Sequence, residues 1–140
     1  MKILPFVFIC VALVKCKPEN TTPTKPATTS SFDATKATLL KNGMFVTVSH
    51  GSTTGTVSLY DQAGIKFVVF DPFLSPSGPD LKVYLSKDVS ATDYIRIGKL
   101  QSTMGRQVYA VPGTPLIKDY HYIHIWCEAF SVEFAHAEVK

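Results

Sequence analysis

Three absences bound this 140-residue chain before any motif is read. The first is paired cysteine. There are three cysteines, Cys10, Cys16 and Cys127, and only Cys127 lies in the body of the chain. A scaffold stapled by disulfides is therefore excluded, and the core must hold by burial alone. The second is a long apolar run. The longest, from Ile3 to Val14, is interrupted by Pro5 and falls short of the ~20 residues a spanning helix needs. The third is charge of one sign. Once Lys2 and Lys15 are set aside with a leader segment, 12 basic groups face 11 acidic ones. So weak a balance leaves no electrostatic footprint for nucleic acid and no polybasic patch for a membrane surface. Motifs for hydrolysis and phosphate binding are lacking too. No glycine-rich phosphate cradle, nucleophile elbow or HExxH-type helix is present.

What is present begins with an export signal. Met1-Lys2 followed by the short apolar run reads as a signal peptide over residues 1–15. Leu13-Val14-Lys15-Cys16 resembles a bacterial lipobox, in which the cysteine carries the lipid, although Lys15 stands where a small residue is usual. The resemblance implies a membrane anchor through Cys16 and an extracytoplasmic place in the cell envelope. Residues 16–31 hold Pro18, Pro23 and Pro26 among Thr, Asn, Lys and Ser, with almost nothing to bury. That composition suits an extended tether.

Residues 32–140 are one domain's worth of chain and can bury a single core. Short β-rich runs recur about every ten residues, punctuated by Gly, Pro or Asp. They are Phe45–Val48, Thr56–Tyr60, Ile65–Phe70, Leu81–Leu85, Tyr94–Ile97, Val108–Val111, Tyr120–Cys127 and Phe130–Val139. The expected class is all-β, an antiparallel sandwich with jelly-roll or immunoglobulin-like connections unresolved, or a barrel. Asp33–Lys41 is the one helix expected, ending at Asn42-Gly43. Asp71 and Asp80, each beside a proline, read as turn acids that pin a loop.

The last two strands change phase. Ile123, Ile125 and Cys127 share one face at odd positions, whereas Phe130, Val132 and Phe134 carry the bulk at even ones. Alternation cannot switch parity without a bulge or turn, which is expected near Glu128-Ala129.

Leu40-x-x-Gly43 with Phe45 and His50, Phe70-Asp71, Gly78-Pro79-Asp80-Leu81-x-Val83-Tyr84-Leu85-Ser86, Val108-Tyr109 with Pro112, and Ile125-Trp126-Cys127-x-x-Phe130 form one series. This series resembles the DM-thirteen domain, an extracytoplasmic β module that accompanies DOMON and b-type cytochrome domains in animals and plants. The resemblance implies electron transfer, with the cysteine of the Trp-Cys pair as redox group, which is Cys127 here. It also implies a redox protein partner, since this chain carries no cytochrome domain.

The residues leave two roles open for Cys127. A thiol near a cation with some solvent access would be a redox group, whereas one packed among apolar side chains is inert filler. The first predicts a partly exposed sulfur. The second suits a surface binding or adhesion module with an exposed patch near Tyr84, Tyr109 or Tyr120. Trp126 should face away from Cys127 as a packing anchor. His124, His50 and Asp80 are the other neighbouring candidates. His121 and His124 differ by an odd number and fall on opposite faces of a strand, so no pair within one strand has ligand spacing. No cofactor or metal site is expected, and a haem or copper site stands only as the alternative.

Overall fold

The computed structural model describes residues 31–140. The expected signal peptide, the Cys16 anchor and all but the last residue of the tether lie outside the described residues. The eight strands are β1 (Thr38–Thr47), β2 (Thr54–Gln62), β3 (Ile65–Leu74), β4 (Leu81–Ser86), β5 (Tyr94–Lys99), β6 (Gln107–Ala110), β7 (Tyr122–Cys127) and β8 (Val132–Glu138). Among the described residues a single 3₁₀ turn, Ile117–Asp119, precedes β7. The fold is all-β and antiparallel, as the punctuated runs require. The strands form one nearly closed sheet in the order β5-β4-β7-β8-β1-β2-β3-β6. Strand β1 joins its two halves. Its first part pairs with β2 and its last three residues pair with β8.

Both halves turn one face inward onto a common core. Val57, Leu59, Val68, Phe70, Val83, Leu85, Ile123, Ile125 and Cys127 all lie in it, with the Phe45, Phe70 and Phe73 rings in mutual contact. Each fully buried aliphatic or aromatic side chain here contributes roughly 1.5–3 kcal/mol. Strand β4 is buried on both faces, because Lys82, Tyr84 and Ser86 on its outer side are covered as well.

The expected helix over Asp33–Lys41 is not formed. The Asp33 carboxylate accepts the Thr35 N–H and hydroxyl, and the Lys36 N–H closes a turn on the Asp33 carbonyl. Thr38 then enters β1 opposite Asp61. A local Asx turn plus a full set of ladder hydrogen bonds outweighs a weak helical propensity. Gly43 does not cap a helix either. It lies mid-strand, where an added Cβ would collide with the Glu138 carbonyl oxygen and sit 2.9 Å from its carbon. Gly43→Ala should therefore lower stability by about 1–3 kcal/mol, the usual cost of overpacking against something that cannot move. Urea unfolding of the variant against wild type checks this.

Asp71 and Pro72 do not end a strand. β3 runs on to Leu74, and Asp71 faces Arg106 at 3.4 Å instead of pinning a turn. The proline is tolerated because β2 shifts register between Gly55 and Val57 at this level. Asp80 is a turn residue, but its carboxylate binds the Lys82 ammonium, and its carbonyl takes the Glu128 N–H.

Candidate functional site

The phase change resolves into two devices. A turn over residues 128–131 reverses the chain, and a bulge follows where the β7–β8 register shifts between Ile125 and Trp126. Ile125 faces Ala135 while Trp126 faces Glu133, so Phe134 is the extra residue. Phe134 and Ala135 both enter the core, and the neighbouring Glu133 is swung to the outer face. Phe130 does not carry core bulk as expected. It sits in the turn and is 72% exposed.

Cys127 is on the inner face between Leu81 and Val132, its cross-strand partners, and is 0% exposed. The partly exposed sulfur expected of a reactive thiol is not what the fold provides. Trp126 faces outward, away from Cys127, and packs at 6.1 Å from Tyr84.

The chemically active side chains gather on the outer face of β4, β7 and β8. One rung of the sheet runs Val46, His136, His124, Tyr84, Arg96 across five strands. His136, near the chain end in sequence, is thus the direct partner of His124. Oε1 of Glu133 lies 2.5 Å from Nδ1 of His124 and 3.1 Å from Nδ1 of His136. Nε2 of His124 lies 2.6 Å from Oγ of Ser86, whose hydroxyl donates to the Asp88 carbonyl at 2.7 Å. His124 is 0% exposed. Burial raises the Glu133 carboxyl, but the hydrogen bond and charge of His124, with His136, outweigh it and leave it below the usual range.

The row Ser86–His124–Glu133 has the order of a hydrolase relay, yet it cannot work as one in this state. The one hydroxyl hydrogen of Ser86 goes to the Asp88 carbonyl rather than to His124, and Ser86 is buried, so no substrate reaches it.

A second cluster adjoins the first. The Tyr84 hydroxyl donates to Oε1 of Glu128 at 2.7 Å, and Arg96 clasps the same carboxylate at 2.6 and 3.0 Å. Lys82, bound to Asp80, lies 4.0 Å from Oε2. The Tyr94 ring stacks on Tyr84 at 4.2 Å, so Tyr94, Tyr84 and Trp126 form a continuous aromatic run. Burial, then the Glu128 hydrogen bond, pushes the Tyr84 phenol well above its ordinary range. Arg96, then Tyr84, holds the Glu128 carboxyl down at about 2.

The sign of that shift fixes a pH dependence. A carboxyl depressed on folding contributes stability above its unfolded value, ordinarily about 4.3, and loses it as the pH falls toward about 2. Wild type should exceed Glu128→Gln in melting temperature at pH 6, and the gap should close between pH 4 and pH 2. Because Asp88 is also held at about 2, by backbone hydrogen bonds from Thr92 and Asp93, the variant comparison rather than the acid limb alone isolates Glu128.

The remaining candidates lie apart. His50 stacks on Phe134 at 4.9 Å and contacts Ser49, outside the His124 cluster. Nδ1 of His121 lies 3.3 Å from the Lys41 ammonium. A cavity of about 610 Å³ between β1 and the loop at residues 114–118 shares no residue with either cluster.

The profile of the electron-transfer DM13 (DM-thirteen) domain matches residues 44–139, from the middle of β1 past the end of β8. The chain belongs to the electron-transfer DM13 family. Both clusters and Cys127 fall inside the DM13 match. No curated protein and no solved structure matches the chain.

Proposed function

We propose that this DM13 chain is an exported module of the bacterial cell envelope, lipid-anchored through Cys16, that serves a redox partner as an accessory electron carrier. The carrying observation is the outer-face aromatic run Tyr94–Tyr84–Trp126, with the Tyr84 hydroxyl already bonded to a carboxylate. When a one-electron oxidant protein takes an electron from Tyr84, the phenolic proton passes along the 2.7 Å hydrogen bond to Glu128, leaving a neutral tyrosyl and a glutamic acid. Reduction by a one-electron donor returns both. Neither charge nor proton need cross the core. Cys127 packs the interior in this reading and does not exchange disulfides, because no attacking sulfur reaches a buried thiol.

Photo-oxidation with a ruthenium tris-bipyridine flash system tests this. The wild type should give a tyrosyl or tryptophanyl signal by electron paramagnetic resonance. Tyr84→Phe with Trp126→Phe should cut the yield about tenfold, while Cys127→Ser leaves it intact. Loss of signal in Cys127→Ser alone would return the redox role to the thiol. Membrane fractionation of wild type against Cys16→Ala tests the anchor.

A binding or adhesion module is the second reading, favoured by the exposed apolar surface at Met44, Val46, Leu74 and Met104. That surface is not the expected tyrosine patch, since Tyr84 and Tyr109 are buried and Tyr120 is half-buried against the core.

A further inference from the structure

We infer that His124, Glu133 and His136 form a binding site for one divalent first-row transition-metal ion. The three ligand atoms lie within 4.8 Å of one another, with both Nδ1 atoms aimed at one carboxylate oxygen. Imidazole and carboxylate together suit zinc, copper, iron or nickel, and two histidines with one carboxylate leave open positions.

Hydrogen bookkeeping is compatible with such a site. Ser86 spends its one hydrogen on the Asp88 carbonyl, so at 2.6 Å it must accept from Nε2–H of His124. Nδ1 of His124 meets a carboxylate oxygen at 2.5 Å, so a positive centre lies between them. A proton can serve one such contact. A metal ion serves all three donors at once, and His124 stays neutral with its other N–H anchored on Ser86, the arrangement that orients metal-bound histidines. Bonds of about 2.0–2.1 Å hold tetrahedral donors about 3.3 Å apart, so the donors must part by several tenths of an ångström. Glu133 and His136 have room for this, because their side chains are 16% and 22% exposed while His124 is sealed. The site is closed behind and open toward solvent.

The site has a logic within the fold. The bulge at Phe134 is what turns Glu133 outward to meet the histidines. Tyr84 is the cross-strand partner of His124, so an ion here adjoins the aromatic run. Use of a redox-active ion in electron transfer rests on the function proposed above, but binding itself does not.

The test uses the full-length protein, stripped of metal, titrated with Zn²⁺ against a chromophoric chelator and with Co²⁺ by visible absorption. One equivalent should bind, with a dissociation constant below about 10 μM. His136→Ala and Glu133→Gln should weaken it at least 100-fold, and Ser86→Ala about 10–100-fold, the usual range for an orienting partner. His50→Ala and His121→Ala should leave it unchanged. His136 is partly exposed, so its variant stays folded and decides the matter if Glu133→Gln does not. Absence of stoichiometric binding, or equal losses in the His50 and His121 variants, overturns the site. Zn²⁺ carries no redox chemistry, so tight binding combined with a flash yield left unchanged by Tyr84→Phe with Trp126→Phe would sink the electron-carrier reading alone.

Discussion

Native Cys127 should react with a thiol reagent at least about 10³-fold more slowly than the same residue in denaturant. The sulfur lies in β7, with β4 on one side and β8 on the other, and it is sealed among Leu81, Ile125 and Val132. The reagent cannot arrive unless the sheet opens. Opening a central strand costs a large share of the global stability, which for a domain is about 5–15 kcal/mol. Even 4 kcal/mol of opening slows the reaction about 10³-fold. The measurement is labelling against pH, native and denatured, with Cys127→Ser as the blank. Native labelling within tenfold of the denatured rate would show that the sulfur is reachable and that thiol exchange is open to it. Stability gives a second readout. Cys127→Ser places a hydroxyl in the core with no acceptor and should cost about 1–3 kcal/mol, whereas Cys127→Ala loses mainly volume.

How this thiol came to stand out shows what the sequence can and cannot reveal. The residue pattern marked part of every one of the eight strands and put Ile123, Ile125 and Cys127 on one face, because a half-buried strand must alternate. It failed at Asp33–Lys41, where side-chain capture of the backbone by Asp33 and pairing with β2 decide the outcome, and neither is periodic. The histidine cluster was legible by a different route. The turn sets Cys127 opposite Val132, so reflection about it brings position 124 to within one residue of position 136, and the bulge supplies that last residue. Spacing along one strand, the measure applied to His121 and His124, is blind to that reflection. The Glu133 contribution was harder to see. Regular alternation from His136 would place Glu133 on the core face, and only the bulge at Phe134 reverses it. Its signal is faint but physical, two consecutive core-type residues, Phe134-Ala135, inside an otherwise alternating strand. Tyr84 shows the opposite limit. Its strand face was readable, but its burial depends on Tyr94 and Trp126 closing over it from neighbouring strands.

His124→Ala should cost about 3–5 kcal/mol, the largest loss expected of any single change on the outer face. The size follows from what the ring joins. Ser86 belongs to β4, His124 to β7, and Glu133 with His136 to β8, so one imidazole ties three adjacent strands. Its removal takes the principal partner from a mostly buried carboxylate and leaves the buried Ser86 hydroxyl one bond short. Exposed ion pairs are worth only about 0–1 kcal/mol, so the measured cost separates a buried network from a surface contact. Urea unfolding gives that cost directly, and a 100-residue domain should lose roughly 15 °C or more in melting temperature. Replacing both partners, as His124→Leu with Glu133→Leu, should recover much of the loss, because an apolar pair needs no partner for a stranded charge. The double variant would then be more stable than the sum of its singles by at least about 1 kcal/mol. A cost below 1 kcal/mol for His124→Ala, or strict additivity, would mean that the ring is not the tie among β4, β7 and β8. A stable double variant would also show that the fold does not require these polar groups, leaving ligand binding as the physical reason for placing two histidines and a glutamate where aliphatic side chains serve stability equally well.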